Sequence, residues 1–70
     1  MSTNLGKNLK RLRLRAGLTQ IQLCVLAETT AVAVIETRGS AQLGTIERLA
    51  AALRVPVAAL LGPIRRKRSA

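Results

Sequence analysis

The sequence predicts an all-α protein, a compact bundle of four to five short helices. Apolar residues recur at helical spacing along most of the 70 residues. Glycine and proline separate these periodic segments, at Gly17, Gly39, Pro56 and the pair Gly62–Pro63. Only one segment also has a strand-like pattern, and it would have no partner strand. These three observations favour helices throughout.

The first predicted helix starts at Asn4 and ends at Gly17. Leu5, Leu9 and Leu12 recur at i, i+4 and i+7, while the basic side chains occupy the other faces, which is the pattern of an amphipathic helix. Glycine is the residue that most easily adopts the left-handed conformation at the end of a helix. Gly17 is therefore the predicted stop.

The second predicted helix runs from Gln20 to Ala27, with Thr19 as its N-cap and no Glu three residues after it. Thr29–Thr30 offers an N-cap for a third helix. The residues that follow it, Ala31 to Glu36, alternate Ala with Val and Ile, which is also typical of a strand. Because a strand here would be alone, we predict a helix.

The fourth helix follows a loop at Gly39–Ser40, and its helical spacing is set by Leu43, Ile46, Leu49, Ala50 and Leu53. Val55–Pro56 ends it, since proline cannot continue a helix and its predecessor is pushed towards an extended conformation. Val57 to Leu61 forms a short fifth helix that stops at Gly62–Pro63.

The composition argues against catalysis and against metal or cofactor binding. The chain has no His, Asp, Phe, Tyr or Trp, and its acidic residues are three Glu. A zinc or calcium site needs clustered His, Cys or carboxylate ligands, and acid–base or covalent catalysis needs an oriented base or nucleophile. Without aromatic rings, the chain also lacks the stacking platforms of most single-strand and RNA-binding folds. We expect a protein that is not an enzyme and uses no cofactor.

The formal charge of +9 comes from 12 Lys and Arg against the three Glu. Five of the basic residues lie between Lys7 and Arg15, and four form the run Arg65 to Arg68. Such runs are often no more than a solvated helix face and a tail. Two runs on either side of a neutral middle instead favour a polyanionic partner, with nucleic acid first and an anionic membrane surface second.

Cys24 is the single cysteine, so no disulfide can form within the chain. We expect it to behave as a small apolar residue rather than as a redox group. The longest uncharged apolar stretch, from Val55 to Ile64, is too short to cross a bilayer. The expected location is the cytoplasm.

Three segments together resemble the lambda-repressor/Cro type of helix-turn-helix domain, the XRE family. They are LGKNLKRLRLRAGLTQ (5–20), the turn around Glu28-Thr29-Thr30, and TIERLAAALRVPVAALLG (45–62). The resemblance implies a helix-turn-helix DNA-binding domain over residues 1–64 and a basic tail over 65–70. It also implies a sequence-specific regulator of transcription, a repressor, that binds double-stranded DNA as a homodimer on an operator.

The resemblance assigns DNA contacts to residues of the first three helices and of the loop after the third. They are Lys10, Arg13, Thr19, Gln20, Thr29, Thr30, Ala31, Val32, Arg38 and Ser40. Gln20 matches the family glutamine that contacts the phosphate backbone. Thr30, Ala31 and Val32 match base-reading positions but include no Arg, Gln or Asn, which predicts modest selectivity. Ala31 and Val32 have a second interpretation, as buried or dimer-contacting residues.

Arg13 has two possible roles, because the resemblance pairs it with Glu36 while its charge also suits a phosphate. Relative to the family spacing, about three residues are missing between Val34 and Val55, which predicts a shortened end of the third helix or a shortened loop after it.

The expected dimer interface includes four apolar residues in and after the fifth helix. They are Val57, Ala59, Leu60 and Ile64. The alternative function is a protein-interaction module or an antitoxin-like accessory subunit, with a degenerate recognition helix and mainly non-specific affinity for DNA.

Overall fold

Five helices make up the fold in a computed structural model that describes residues 4–62. They are α1 (Leu5–Arg15), α2 (Gln20–Ala27), α3 (Val32–Arg38), α4 (Leu43–Leu53) and α5 (Val57–Leu61). No strand occurs within these residues, and the segment with the strand-like pattern is α3. The predicted all-α class and the number of helices are confirmed.

One apolar core holds the five helices together. α3 packs against both α1 and α2, α4 packs against α2, and α5 closes the bundle by contacting α1 and α4. Every helix contributes to the core, whose buried members are Leu5, Leu9, Leu12, Leu23, Ala27, Val32, Ile35, Ile46, Leu49, Ala50 and Leu60. Leu43 shares the apolar spacing of α4 but is 59% exposed, because it lies at the first residue of the helix.

The boundaries of α1 and α2 follow from local backbone chemistry. Gly17 has φ +76°, in agreement with its predicted role after α1. Thr19 caps α2, since its Oγ1 accepts from the Gln22 N–H at 3.0 Å while the Gln22 side chain accepts from the Thr19 N–H at 2.9 Å. This reciprocal capping box needs Glu or Gln at the third position, so the missing Glu was no obstacle.

The helix α3 begins at Val32, one residue after the predicted start at Ala31. Thr29 Oγ1 accepts from the Ala31 N–H at 3.2 Å, and this bond holds the turn before the helix. Val32 and Ile35, three residues apart, are both buried and form the core-facing side of the helix. Thr30 and Ala31 precede α3, which is seven residues long. The helix ends at Arg38 and residues 39–42 form the loop before α4. The predicted shortening between Val34 and Val55, at the end of the third helix or in the loop after it, stays a prediction.

Two residues of α1, one polar and one small, fix its position, and neither was predicted to do so. Asn8 is buried and donates to the carbonyl oxygens of Leu60 and Gly62, both at 2.8 Å, which ties α1 to α5. Gly6 lies so close to α3 that a Cβ on it would come within 2.9 Å of the Ile35 oxygen and 2.7 Å of the Glu36 oxygen. Together they determine how closely α1 approaches its neighbours.

Within residues 4–62, no helix is both long enough and apolar enough to cross a membrane.

Candidate nucleic-acid interface

Glu36, near the end of α3, is the point where three parts of the fold meet. Its Oε2 accepts from Arg13 Nε at 2.7 Å, and its Oε1 accepts from Arg13 Nη2 at 3.2 Å. The third nitrogen of the guanidinium, Nη1, donates to the Leu18 carbonyl at 2.8 Å. Both side chains are largely buried, with exposed fractions of 9% for Arg13 and 6% for Glu36. The pair therefore joins α1 to α3 and also to the loop that precedes α2.

Gln20, the first residue of α2, completes this arrangement. Its Nε2 donates to Glu36 Oε1 at 3.0 Å, and the side chain stays exposed. The amino end of α2 is thus held beside the carboxyl end of α3. Because Gln20 offers one further amide hydrogen and a free carbonyl position, it still has groups to present to a ligand.

The charges around Glu36 keep it ionised. Burial by itself raises the pKa of its carboxyl group, but hydrogen bonds from Arg13 and Gln20 and the positive charges of Arg13 and Lys10 outweigh this effect. The net result is a pKa below the ordinary value of 4.5. The influence of Lys10 also places that side chain on the same side of the molecule as Glu36.

The exposed residues that surround Glu36 form a cationic surface, which we call the Glu36 surface. It consists of Lys7, Lys10, Gln20, Thr37 and Arg38, all of them exposed. Lys7, Thr37 and Arg38 also line a shallow groove between α1 and the end of α3. Glu36 is neutralised by Arg13, so the surface presents three further cations to solvent. Lys7 and Thr37 were not among the predicted contacts, although Lys7 precedes Lys10 by three residues and so shares its helix face.

The predicted base-reading residues differ in exposure. Thr30 is exposed and Ala31 is half-buried. Val32 is fully buried, which corrects its assignment to the DNA contacts and agrees with its second interpretation as a core residue. The exposed side chains of α3 itself are Ala33, Val34, Thr37 and Arg38, so the face is mostly apolar until its last turn.

Of the two roles predicted for Arg13, the structure shows the ion pair with Glu36. Each of its three guanidinium nitrogens donates within the protein, to Glu36 or Leu18, and the side chain is only 9% exposed, so it is directed into the fold rather than towards a phosphate. Its assignment as a direct DNA contact is therefore corrected to a scaffold role.

The other predicted contacts lie at the surface or in turns. Thr19 is exposed but occupied as the α2 cap, and Thr29 is half-buried and bonded to Ala31. Ser40 is exposed, immediately after Gly39, which has φ +78°. Together with Lys10, Gln20 and Arg38, these positions border the two ends of α3.

The predicted dimer residues differ in burial, and one of them belongs to the core. Leu60 has no exposed surface, and Val57 and Ala59 are half-buried against the core. Leu60 cannot contact a second chain in this fold, which corrects its assignment. Ile64 and the basic segment 65–70 lie outside the described residues.

Within residues 4–62, no three His, Cys, Asp or Glu side chains lie close enough together to hold a metal ion. Comparisons of the chain with protein-family models, with curated proteins and with solved structures find no match.

Proposed function

We propose that the protein is a transcriptional regulator with a lambda-repressor/Cro type of helix-turn-helix, which binds double-stranded DNA in the cytoplasm as a homodimer and represses transcription at an operator. The observation that carries this proposal is the position of Glu36. Arg13 and Gln20 both bind its carboxylate, so α1, α2 and α3 are held together. Around this point lie the exposed cations Lys7 and Lys10 of α1 and Arg38 of α3. A rigid cationic surface of this kind suits a regularly spaced polyanion.

Duplex DNA is the polyanion that the surface suits best. Phosphates are bound by Lys and Arg side chains and by the free backbone N–H groups at helix amino ends. The basic side chains are those of Lys7, Lys10 and Arg38. The free N–H groups are those at the amino end of α2, which begins at Gln20. The chain has no aromatic side chain for stacking unpaired bases, which favours the duplex over single strands.

Selectivity among sequences should be modest. The side chains available near the start of α3 are Thr30, Ala31, Ala33 and Val34, which offer one hydroxyl group and several methyl groups. These groups suit the thymine methyl rather than the bidentate contacts that distinguish bases most strongly, each of which is worth about 1–3 kcal/mol. Phosphate contacts therefore dominate the affinity in this proposal.

Enrichment of random duplexes on the purified protein, followed by binding measurements on the enriched sequence, tests the proposal. Lys7→Gln, Lys10→Gln and Arg38→Gln should each weaken binding. Arg54→Gln is the matched control, because it removes the same charge from the exposed end of α4. Equal losses from all four variants would mean that only net charge matters and that the Glu36 surface is not the interface.

A second candidate function is a protein-interaction or antitoxin-like module with mainly non-specific affinity for DNA. The apolar exposed face of α3 at Ala33 and Val34 favours it. Replacing Gln20 and Thr30 by Ala separates the two functions. A loss of sequence preference supports the regulator, whereas an unchanged affinity for every duplex supports the interaction module.

A further inference from the structure

The outward face of α2 carries the two most exposed large apolar side chains of residues 4–62, Ile21 and Val25, and a third, Leu26, beside them. Ile21 is 76% exposed, Val25 is 71% exposed and Leu26 is 57% exposed. Ile21 and Val25, at i and i+4, share one face of the helix, and Leu26 is the next residue around it. We call these three residues the α2 patch. With Leu18 and Gln22 they also line a shallow depression, so the patch is continuous.

The α2 patch is also uncharged, which is unusual on a chain of net charge +9. No Lys, Arg, Asp or Glu occurs between Gln20 and Ala27. At the edge of α2, Arg48 donates to the Glu28 carbonyl at 3.4 Å, so a cation and an acidic residue lie side by side there. Contiguous exposed apolar surface of this kind marks interaction sites on soluble proteins.

We propose that the α2 patch is the surface through which two copies of this chain associate, with α2 packed against α2 around a two-fold axis. A two-fold interface sets each patch against itself. An apolar, uncharged patch is complementary to itself, whereas a basic surface such as that of α1 would place cation against cation. The α2 patch lets two strongly positive chains meet without that repulsion.

Other occupants suit the patch less well. The segment after Gly62 starts beside α1, since the Gly62 carbonyl accepts from Asn8, and it carries the run Arg65 to Arg68. The patch has no carboxylate to attract that run. An acidic partner would equally find no cation on α2. A second copy is the occupant whose charge and apolar surface both fit.

This inference rests on the dimer part of the proposed function, and it replaces α5 by α2 as the contact. The large apolar side chain that α5 exposes is Leu61, at 37%, because Leu60 is in the core. The α2 patch does not include Lys7 or Lys10, because both lie on α1, whereas α2 packs against α3 and α4. The proposed contact therefore leaves these two cations of the Glu36 surface outside it.

Sedimentation equilibrium of the protein without DNA tests the proposal. We expect the mass to rise from 7.5 kDa to twice that value as the concentration increases. Val25→Lys places like charges across the two-fold axis and should raise the dissociation constant about tenfold or more. Leu43→Lys on α4 and Leu61→Lys on α5 are matched controls and should leave it unchanged, because both positions are also exposed and lie outside the patch. Circular dichroism checks that each variant folds.

Three results would overturn the inference. The first is a wild-type protein that stays at 7.5 kDa at all concentrations. The second is a dimer that Leu61→Lys dissociates and Val25→Lys does not, and the third is an equal effect of Val25→Lys and Leu43→Lys. Added salt separates a test of the dimer from a test of DNA binding. Salt screens the repulsion between two positive chains and should preserve or strengthen the dimer, whereas it should weaken binding to DNA.

Discussion

Arg13 and Glu36 meet at two points across the contact between α1 and α3, with Nε to Oε2 at 2.7 Å and Nη2 to Oε1 at 3.2 Å. The pair is nearly buried, so removing either partner would leave an uncompensated buried charge and destabilise the fold. Gln20 binds the same carboxylate from α2. Through this carboxylate, the helices that carry the candidate DNA contacts are held in one arrangement.

Removal of Arg13 should severely destabilise the fold. Arg13→Met leaves the Glu36 carboxylate buried with Gln20 as its remaining hydrogen-bond donor, which typically costs about 3–5 kcal/mol. A domain of this size rarely has more stability than that, so we expect the variant to be largely unfolded at room temperature. Urea unfolding followed by circular dichroism measures the effect. Arg15→Met, at an exposed position on the same helix, is the control, and a similar loss in both variants would refute the structural role of the pair.

Acid should weaken the fold through Glu36. Because its pKa is lower in the folded protein than its ordinary 4.5, the unfolded chain takes up the proton first as the pH falls. The stabilisation is therefore fully present above that ordinary value and is lost as the pH drops through the lowered pKa. Thermal melts across acidic pH should show this decline, and Glu36→Gln should remove part of it. A variant with an unchanged acid dependence would speak against the interaction.

Glycine at position 6 should be required for α1 to approach α3. A Cβ there would overlap the Ile35 and Glu36 carbonyl oxygens, so Gly6→Ala should destabilise by about 1–3 kcal/mol through overpacking. A Cβ added at Gly44 in α4 would meet no atom within 4 Å, so Gly44→Ala is a control for which we expect the opposite effect. Gly44→Ala should stabilise by about 0.5–1 kcal/mol, because alanine loses less backbone entropy in a helix. Melting temperatures that move in the same direction in both variants would contradict this packing.

The buried amide of Asn8 should anchor α5. Asn8→Ala removes the donor that the Leu60 and Gly62 carbonyl oxygens share, at a cost of about 1–3 kcal/mol. Denaturant unfolding gives the free energy. Gln42→Ala is the matched control, because Gln42 is exposed and its side chain does not cap α4. If the two variants unfold at the same denaturant concentration, Asn8 does not hold α5.

The helices could be predicted from the sequence because Leu spacing, Gly17 and Pro56 act locally. The first residue of α3 could not be predicted, because Thr29 and Thr30 are both potential N-caps. In the structure Thr29 instead accepts from Ala31 in the turn before the helix. Apolar composition alone likewise did not show that Leu60 faces the core while Ile21 and Val25 face solvent. The pairing of Arg13 with Glu36 could be anticipated from the family resemblance, whereas the contribution of Gln20 depends on how α2 sits against α3.

The central claim, that the Glu36 surface binds duplex DNA, is tested most directly by the salt dependence of binding. If five to eight phosphates are neutralised, log affinity should fall with log salt with a slope of about −4.5 to −7. Combining Lys7→Gln, Lys10→Gln and Arg38→Gln should make the slope shallower by about 0.9 for each charge removed, and Arg54→Gln should leave it unchanged. A slope near zero for the wild-type protein, or the same slope in the triple variant, would contradict the claim.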